Sequence, residues 1–148
     1  MSNVPRGVEL LRFADLKDLD PDWIATHVPT ILAVSGARWM SIDPYGHPDG
    51  DPVLAHWSSV VDVSGHHVDL DPGSAEHVRF FCEYAPFSAG AHIGLTGPGD
   101  VVCEAVDGLW VGLYLTDAQL DASGIDVTGD AWRTKPRRRP RWWRRRSA

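Results

Sequence analysis

The sequence predicts an α+β domain: a small, mainly antiparallel sheet of five to seven short strands with two or three helices, followed by a disordered or extended C-terminal arm. Three observations lead there. Asp100–Leu115, DVVCEAVDGLWVGLYL, reads as two apolar strands joined by Asp107–Gly108, a turn pair suited to positive φ at both central positions. Ala75–Ala85 lies between Pro72–Gly73 and Pro86, with Ser74 placed to cap a helix. The charge is divided sharply: Met1–Trp132 holds all 20 acidic residues and five basic ones, a net −15, whereas Arg133–Ala148 holds nine basic residues and no acid. The 1–132 segment is therefore read as an acidic globular domain and 133–148 as a basic arm.

The elements follow in order. Val8–Phe13 suits a short strand or a first helical turn. Asp20–Pro21–Asp22 marks a helix start, with Asp20 as N-cap and Pro21 at the first helical position; Trp23, Ile24 and Val28 would face the core. Pro29 is expected to end that helix, because the residue before a proline avoids helical geometry. Thr30–Val34 and Arg38–Ile42 then read as strands around Ser35–Gly36. Asp43–Pro52, DPYGHPDGDP, reads as a surface loop; it lacks the twelfth-position glutamate of an EF-hand.

Val53–Val63 alternates in the manner of a strand, and His66–Asp71 returns after Ser64–Gly65 as its hairpin partner. His66, Val68 and Leu70 would share one side, and His67, Asp69 and Asp71 the other. In the Ala75–Ala85 helix, Val78, Phe81, Cys82 and Ala85 form the expected core stripe. A short apolar piece, His92–Leu95, precedes the hairpin. Along its first strand Val101, Cys103 and Ala105 would share a face, opposite Val102, Glu104 and Val106. Along its second, Leu109, Val111, Leu113 and Leu115 would oppose Trp110 and Tyr114. Thr116–Ala122 suits a short capped helix, and Ile125–Trp132 a final extended piece.

The class of the protein is bounded by composition. At 148 residues with 43% hydrophobic and 23% charged, the chain suits one soluble domain. No apolar run reaches the roughly 18 residues of a membrane span, and the N-terminus lacks the pattern of a secretory signal. Cys82 and Cys103 are expected as reduced, buried thiols of a cytoplasmic protein. There is no GxSxG elbow, phosphate-binding GxxxxGK[ST] or zinc-protease HExxH. Trp39, Trp57 and Trp110 read as core aromatics.

Chemistry concentrates in the arm, RTKPRRRPRWWRRRSA. Arg137, Arg138, Arg139, Arg141, Arg144, Arg145 and Arg146 flank Trp142 and Trp143. A planar guanidinium makes paired hydrogen bonds to phosphate or carboxylate, and an indole stacks on an unpaired base or rests at a bilayer headgroup. By composition the arm resembles the tryptophan- and arginine-rich cationic peptides that act on membranes. Its expected partners are an acidic protein surface, of this chain or another subunit, nucleic acid, or an anionic membrane; a homo-oligomer tied by the arm is one such arrangement.

A second cluster gathers His66, His67 and His77 with Asp69, Asp71 and Cys82. The stretch GHHVDLDPGSAEHVRFFC resembles the first half of an HNH nuclease motif, a histidine pair on a strand before a short helix with a metal-binding residue. The resemblance implies His67 as general base and His77 as a metal ligand, with CEYAP standing where the family closes its site with a further histidine. His67, Asp69 and His77 are the metal ligands of this alternative reading.

The leading expectation is a non-enzymatic adaptor or structural assembly protein of a phage or bacterial complex, cytoplasmic or in a virion, with no catalytic residue, metal or cofactor. Arginine outnumbers lysine 12 to 2, a bias associated with GC-rich sources. The rival is a metal-dependent hydrolase or nuclease using His66, His67 and His77. A peripheral membrane protein anchored by the arm is the third reading.

Overall fold

A computed structural model describes residues 4–44, 56 and 67–137. The described elements are seven strands and three α-helices, and all seven strands join one antiparallel sheet. In chain order they are β1 (Leu10–Asp15), α1 (Trp23–Ser35), β2 (Trp39–Asp43), β3 (Val68–Leu70), α2 (Ala75–Tyr84), β4 (Gly90–Gly94), β5 (Val101–Val106), β6 (Trp110–Leu113), α3 (Asp117–Ser123) and β7 (Trp132–Pro136). Across the sheet the order is β3-β2-β4-β5-β6-β1-β7. The α+β prediction is correct.

The β5–β6 hairpin sits in the interior of the sheet. Asp107 and Gly108 both have positive φ, 54° and 64°, and the Leu109 N–H closes on the Val106 carbonyl at 2.9 Å. Two caps also follow the sequence. The Ser74 hydroxyl accepts the His77 N–H, and Thr116 forms a capping box with Gln119. Leu10–Asp15 resolves the ambiguity near the N-terminus as a strand.

Three expectations change. Thr30–Val34 is helix, because α1 runs through Pro29 to Ser35. The ring forfeits one backbone hydrogen bond, but Val28 and Ile31 on either side are fully buried, and Gly36 closes the helix at φ 67°. That helix starts at Trp23, with the Asp20 carboxylate accepting the Asp22 N–H at 2.9 Å in the turn before it. Second, β3 pairs with β2, and His56, within the segment expected as the preceding strand, is helical. The rest of that segment, Val53–Val63, lies outside the described residues. Third, α2 buries Phe80, Phe81 and Tyr84 deepest, with Val78 and Cys82 only partly covered.

A β-bulge also alters the faces of β5. Ile93 pairs with Cys103 but Gly94 with Val101, so two steps along β5 match one along β4. Val102 thereby joins Cys103 and Ala105 on one side of the sheet, while Val101 joins Leu11 and Tyr114 on the other. The expected grouping of Val101 with Cys103 is overturned; Glu104 and Val106 keep the side they were assigned.

The helices give the sheet two unlike faces. Trp23, Ile24, Val28 and Ile31 of α1 and Phe80, Phe81 and Tyr84 of α2 cover Met40, Ile42, Ala91, Ile93, Cys103, Ala105, Val111 and Leu113. This is the main core. None of the three helices lies on the opposite face.

The final strand crosses the boundary drawn from charge. Trp132–Pro136 pairs with Leu10–Ala14 of β1, from Ala14–Trp132 to Leu10–Pro136. The first residues of the basic stretch are thus part of the sheet.

Candidate functional site: two clefts on the face opposite the main core

Period-two alternation and antiparallel register together decide what the sheet face opposite α1 and α2 carries. Directly paired residues place Asp69, Ser41, His92, Glu104, Gly112, Phe13 and Arg133 in one row across all seven strands. Polar groups occupy the β3–β5 half of that row. Two adjoining clefts lie along it and share His92. The first, about 480 Å³, is lined by Trp39, Ser41, Asp43, His67, Asp69, His92, Pro98 and Val101. The second, about 380 Å³, is more apolar; Leu11, Phe13, Val106, Trp110 and Tyr114 line it with Val4, Glu104 and Lys135.

The first cleft centres on His67. Its Nδ1 lies 3.0 Å from Asp43 Oδ1 and its Nε2 2.9 Å from Asp69 Oδ1. A carboxylate at each ring nitrogen favours the doubly protonated ring. The hydrogen bond to Asp43 raises the His67 pKa most, partial burial opposes it, and Asp69 adds to the rise. Beside Asp69 in the row, the Ser41 hydroxyl is 1% exposed and has no hydrogen-bond partner. Buried hydroxyls are ordinarily paired, so this oxygen is a polar group in want of a partner at the cleft wall.

The second cleft is floored by a buried pair. The Tyr114 hydroxyl donates to Glu104 Oε1 at 2.7 Å, and His92 Nε2 stands 3.7 Å from Glu104 Oε2. Burial, reinforced by the Glu104 charge, pushes the Tyr114 pKa far up, so the phenol stays a donor. Phe13 meets Trp110 and Tyr114 edge-on, each at 5.7 Å between ring centroids.

Glycines make room for these side chains. A Cβ on Gly112 would strike the Tyr114 hydroxyl, and one on Gly94 would lie 2.9 Å from the Trp39 ring. Gly112 thus leaves room for the Tyr114 ring, and Gly94 for the Gly97 carbonyl first and the Trp39 ring second.

The predicted site residues fall in different places. His67 and Asp69 do share a face and are bonded to each other. His77 is held elsewhere: its Nδ1 accepts the Asp71 N–H at 2.8 Å, at the start of α2. Among the described residues no three His, Cys, Asp or Glu side chains are grouped to hold a metal ion. His66 lies outside the described residues. Cys82 and Cys103 are free thiols, and burial pushes them up to about 11 and about 12, so neither is an activated nucleophile. The Gly94–Asp100 loop turns its amides inward, where the Asp100 carboxylate accepts the Thr96 and Gly97 N–H groups at 2.9 and 3.1 Å.

Of the arginines and tryptophans named as the arm's binding residues, Arg137 is described, and it is anchored. Its guanidinium donates to the carbonyls of Val4, Pro5 and Val8, at 3.1, 2.7 and 3.4 Å, and its own N–H to the Glu9 carbonyl at 2.9 Å. Arg133 reaches Asp15 at 3.2 Å. Arg138, Arg139, Arg141, Trp142, Trp143, Arg144, Arg145 and Arg146 lie outside the described residues.

Several cleft residues escaped the sequence reading. Trp39 and Trp110 were expected in the core, yet both are only partly buried and line the clefts. Asp43 ends β2 instead of opening the loop its sequence suggests, and nothing local marks Ser41, His92, Glu104 or Tyr114 as cleft residues. The available signal was polar residues at alternate positions within apolar strands, as in MSI and VCEAV.

No family model matches the chain, and no curated protein or solved structure is similar enough to count as a match.

Proposed function

We propose that this chain is a non-enzymatic adaptor or assembly protein whose cationic C-terminal segment binds a polyanion or an acidic protein surface. One observation supports it above the rest: the anchored root of that segment. β7 is hydrogen-bonded along β1, and Arg137 is fixed by three carbonyl oxygens. Beyond it the sequence runs RRPRWWRRRSA, with six arginines, two tryptophans and no acid. A grip that starts from a fixed point loses less freedom on binding than one hung from a loose linker. Its six charges contrast with residues 1–137, which hold 20 acidic residues against eight basic ones.

The body repels polyanions, so the attraction belongs to the segment itself. Guanidinium groups pair with phosphate or carboxylate, and the indoles add stacking or apolar contact. The test is binding by the full chain and by a full-length variant with Arg138, Arg139, Arg141, Arg144, Arg145 and Arg146 changed to glutamine. Single-stranded DNA, an acidic protein and anionic vesicles serve as the three probes. The adaptor reading expects binding to the first or second probe, lost in the variant. Binding retained by the variant sinks it; binding to vesicles alone replaces it with membrane association.

A further inference from the structure

We infer that the C-terminal segment 138–148 seats in the paired clefts of its own chain, its tryptophans in the apolar cleft and its terminal arginines against Asp43 and Asp69. The contact goes beyond the adaptor reading and does not depend on it. Only its regulatory consequence, that a partner must displace the segment from the clefts, rests on that reading.

The first support is position. Val4 and Lys135 line the apolar cleft, and the Arg137 guanidinium is bonded to the Val4 carbonyl, so the segment leaves the sheet at the rim of that cleft. Arg137 also shares a surface depression with Leu95, Gly99 and Asp100, and Pro98 of the same loop lines the acidic cleft.

The second is order and length. Strands lie about 4.8 Å apart. The apolar cleft spans β5, β6 and β1, one to three strands from β7, or about 5–14 Å. The carboxylates of the other cleft stand on β2 and β3, five and six strands away, about 24–29 Å across the sheet; level with Asp15 and Phe13, they also lie about 13–20 Å along it from Arg137, or about 31–32 Å in all, a span that backbone to Arg146 together with its side chain covers. Extended chain covers about 3.3 Å per residue. Trp142 and Trp143, five and six residues past Arg137, reach about 17–20 Å, and Arg144–Arg146 about 23–30 Å. The segment thus presents indoles and then guanidiniums in the order in which the sheet presents aromatic rings and then carboxylates.

The third is chemistry. Phe13, Trp110 and Tyr114 offer ring edges and faces to an indole. Each of Asp43 and Asp69 spends Oδ1 on His67, leaving a second carboxylate oxygen. Those second carboxylate oxygens are acceptors of the kind a guanidinium fork takes up.

The test uses nitrogen-15 NMR of the full chain against full-length Trp142→Ala/Trp143→Ala. The expected result is signal shifts at Trp39, His67, His92, Trp110 and Tyr114, none along α1 or α2, and the same shifts after tenfold dilution. Shifts that are absent, spread over the helix face, or lost on dilution overturn the inference, the last in favour of a second copy as the occupant.

A binding assay separates this from the adaptor reading. Full-length Asp43→Asn/Asp69→Asn is compared with Asp121→Asn/Asp130→Asn, which removes equal charge from exposed positions. Self-docking predicts that only the first pair tightens binding to single-stranded DNA, by about threefold or more beyond the control. Full-length Trp110→Ala should act in the same direction. Equal tightening in the two pairs overturns self-docking while leaving the adaptor reading intact. NMR shifts in a chain that binds no probe support self-docking and remove the adaptor.

Discussion

Glu104 and Ala105 are neighbours in one strand, equally buried, and belong to two different kinds of surface. Ala105 faces α1 and α2 in a core made of aliphatic and aromatic side chains. Glu104 faces the other way, held by Tyr114 and close to His92 between two clefts. On the helix face the strands present what packing requires. On the cleft face, His67 and Asp69 are the exposed polar groups that a solvated sheet face ordinarily carries, but Ser41 and Glu104 are polar and buried, which packing alone does not call for. A fold pays for polar groups in such places chiefly where they bind something.

The comparison can be broken in several places. The largest effect belongs to the helix face. Phe80→Ala empties a fully buried site and should cost about 3–5 kcal/mol in urea unfolding; a loss under 1 kcal/mol would mean that α2 does not seal this core. Next comes Gly112→Ala on the cleft face. The added methyl displaces the Tyr114 hydroxyl from buried Glu104, which should cost about 2 kcal/mol. A neutral result would contradict the close approach of ring and backbone.

Arg137→Ala removes three carbonyl contacts at the root of the basic segment. It should lower stability by about 1 kcal/mol and speed amide exchange along β7 more than along β5. Uniform exchange across both strands would detach the anchor from the strand's order.

The smallest effect is electrostatic. The His67 pKa is raised in the folded chain, so its charged form contributes stability that is fully present below about 6.5, its unfolded value. That contribution fades as pH rises through the higher folded value. The ring and Asp69 are well exposed and Asp43 is about one-third exposed, so screening keeps it small. Asp43→Asn should bring the imidazole titration, followed by NMR, back toward 6.5. An unchanged titration would remove Asp43 as its main support.

Much of this architecture is legible locally. Asp107–Gly108 specifies a turn, Ser74 and Thr116 specify helix starts, and period two puts His67 and Asp69 on one face. What escaped depends on distant partners. Pro29 argues locally for a helix end, and only the burial of Ile31 carries the helix past it. Val102 changes sides because β4 and β5 fall out of step at Gly94, which neither strand announces alone. Glu104 looks like a surface residue until Tyr114, from the next strand, lies across Gly112 to meet it. The clefts are therefore a product of register, and register is not written in any one segment. Charge, by contrast, was fully legible, but its sharp division between 132 and 133 does not mark the end of the sheet, because backbone pairing along β1 holds Arg133–Pro136 regardless of side-chain charge.

The central claim is that the cationic segment grips and the acidic body does not. Binding of the full chain to a single-stranded DNA oligonucleotide across a salt series tests it most directly. With six arginines engaged, the logarithm of affinity should fall against the logarithm of salt with a slope approaching about −4, and the six-glutamine variant should show no binding. A salt-independent affinity, or one the variant keeps, would contradict the account.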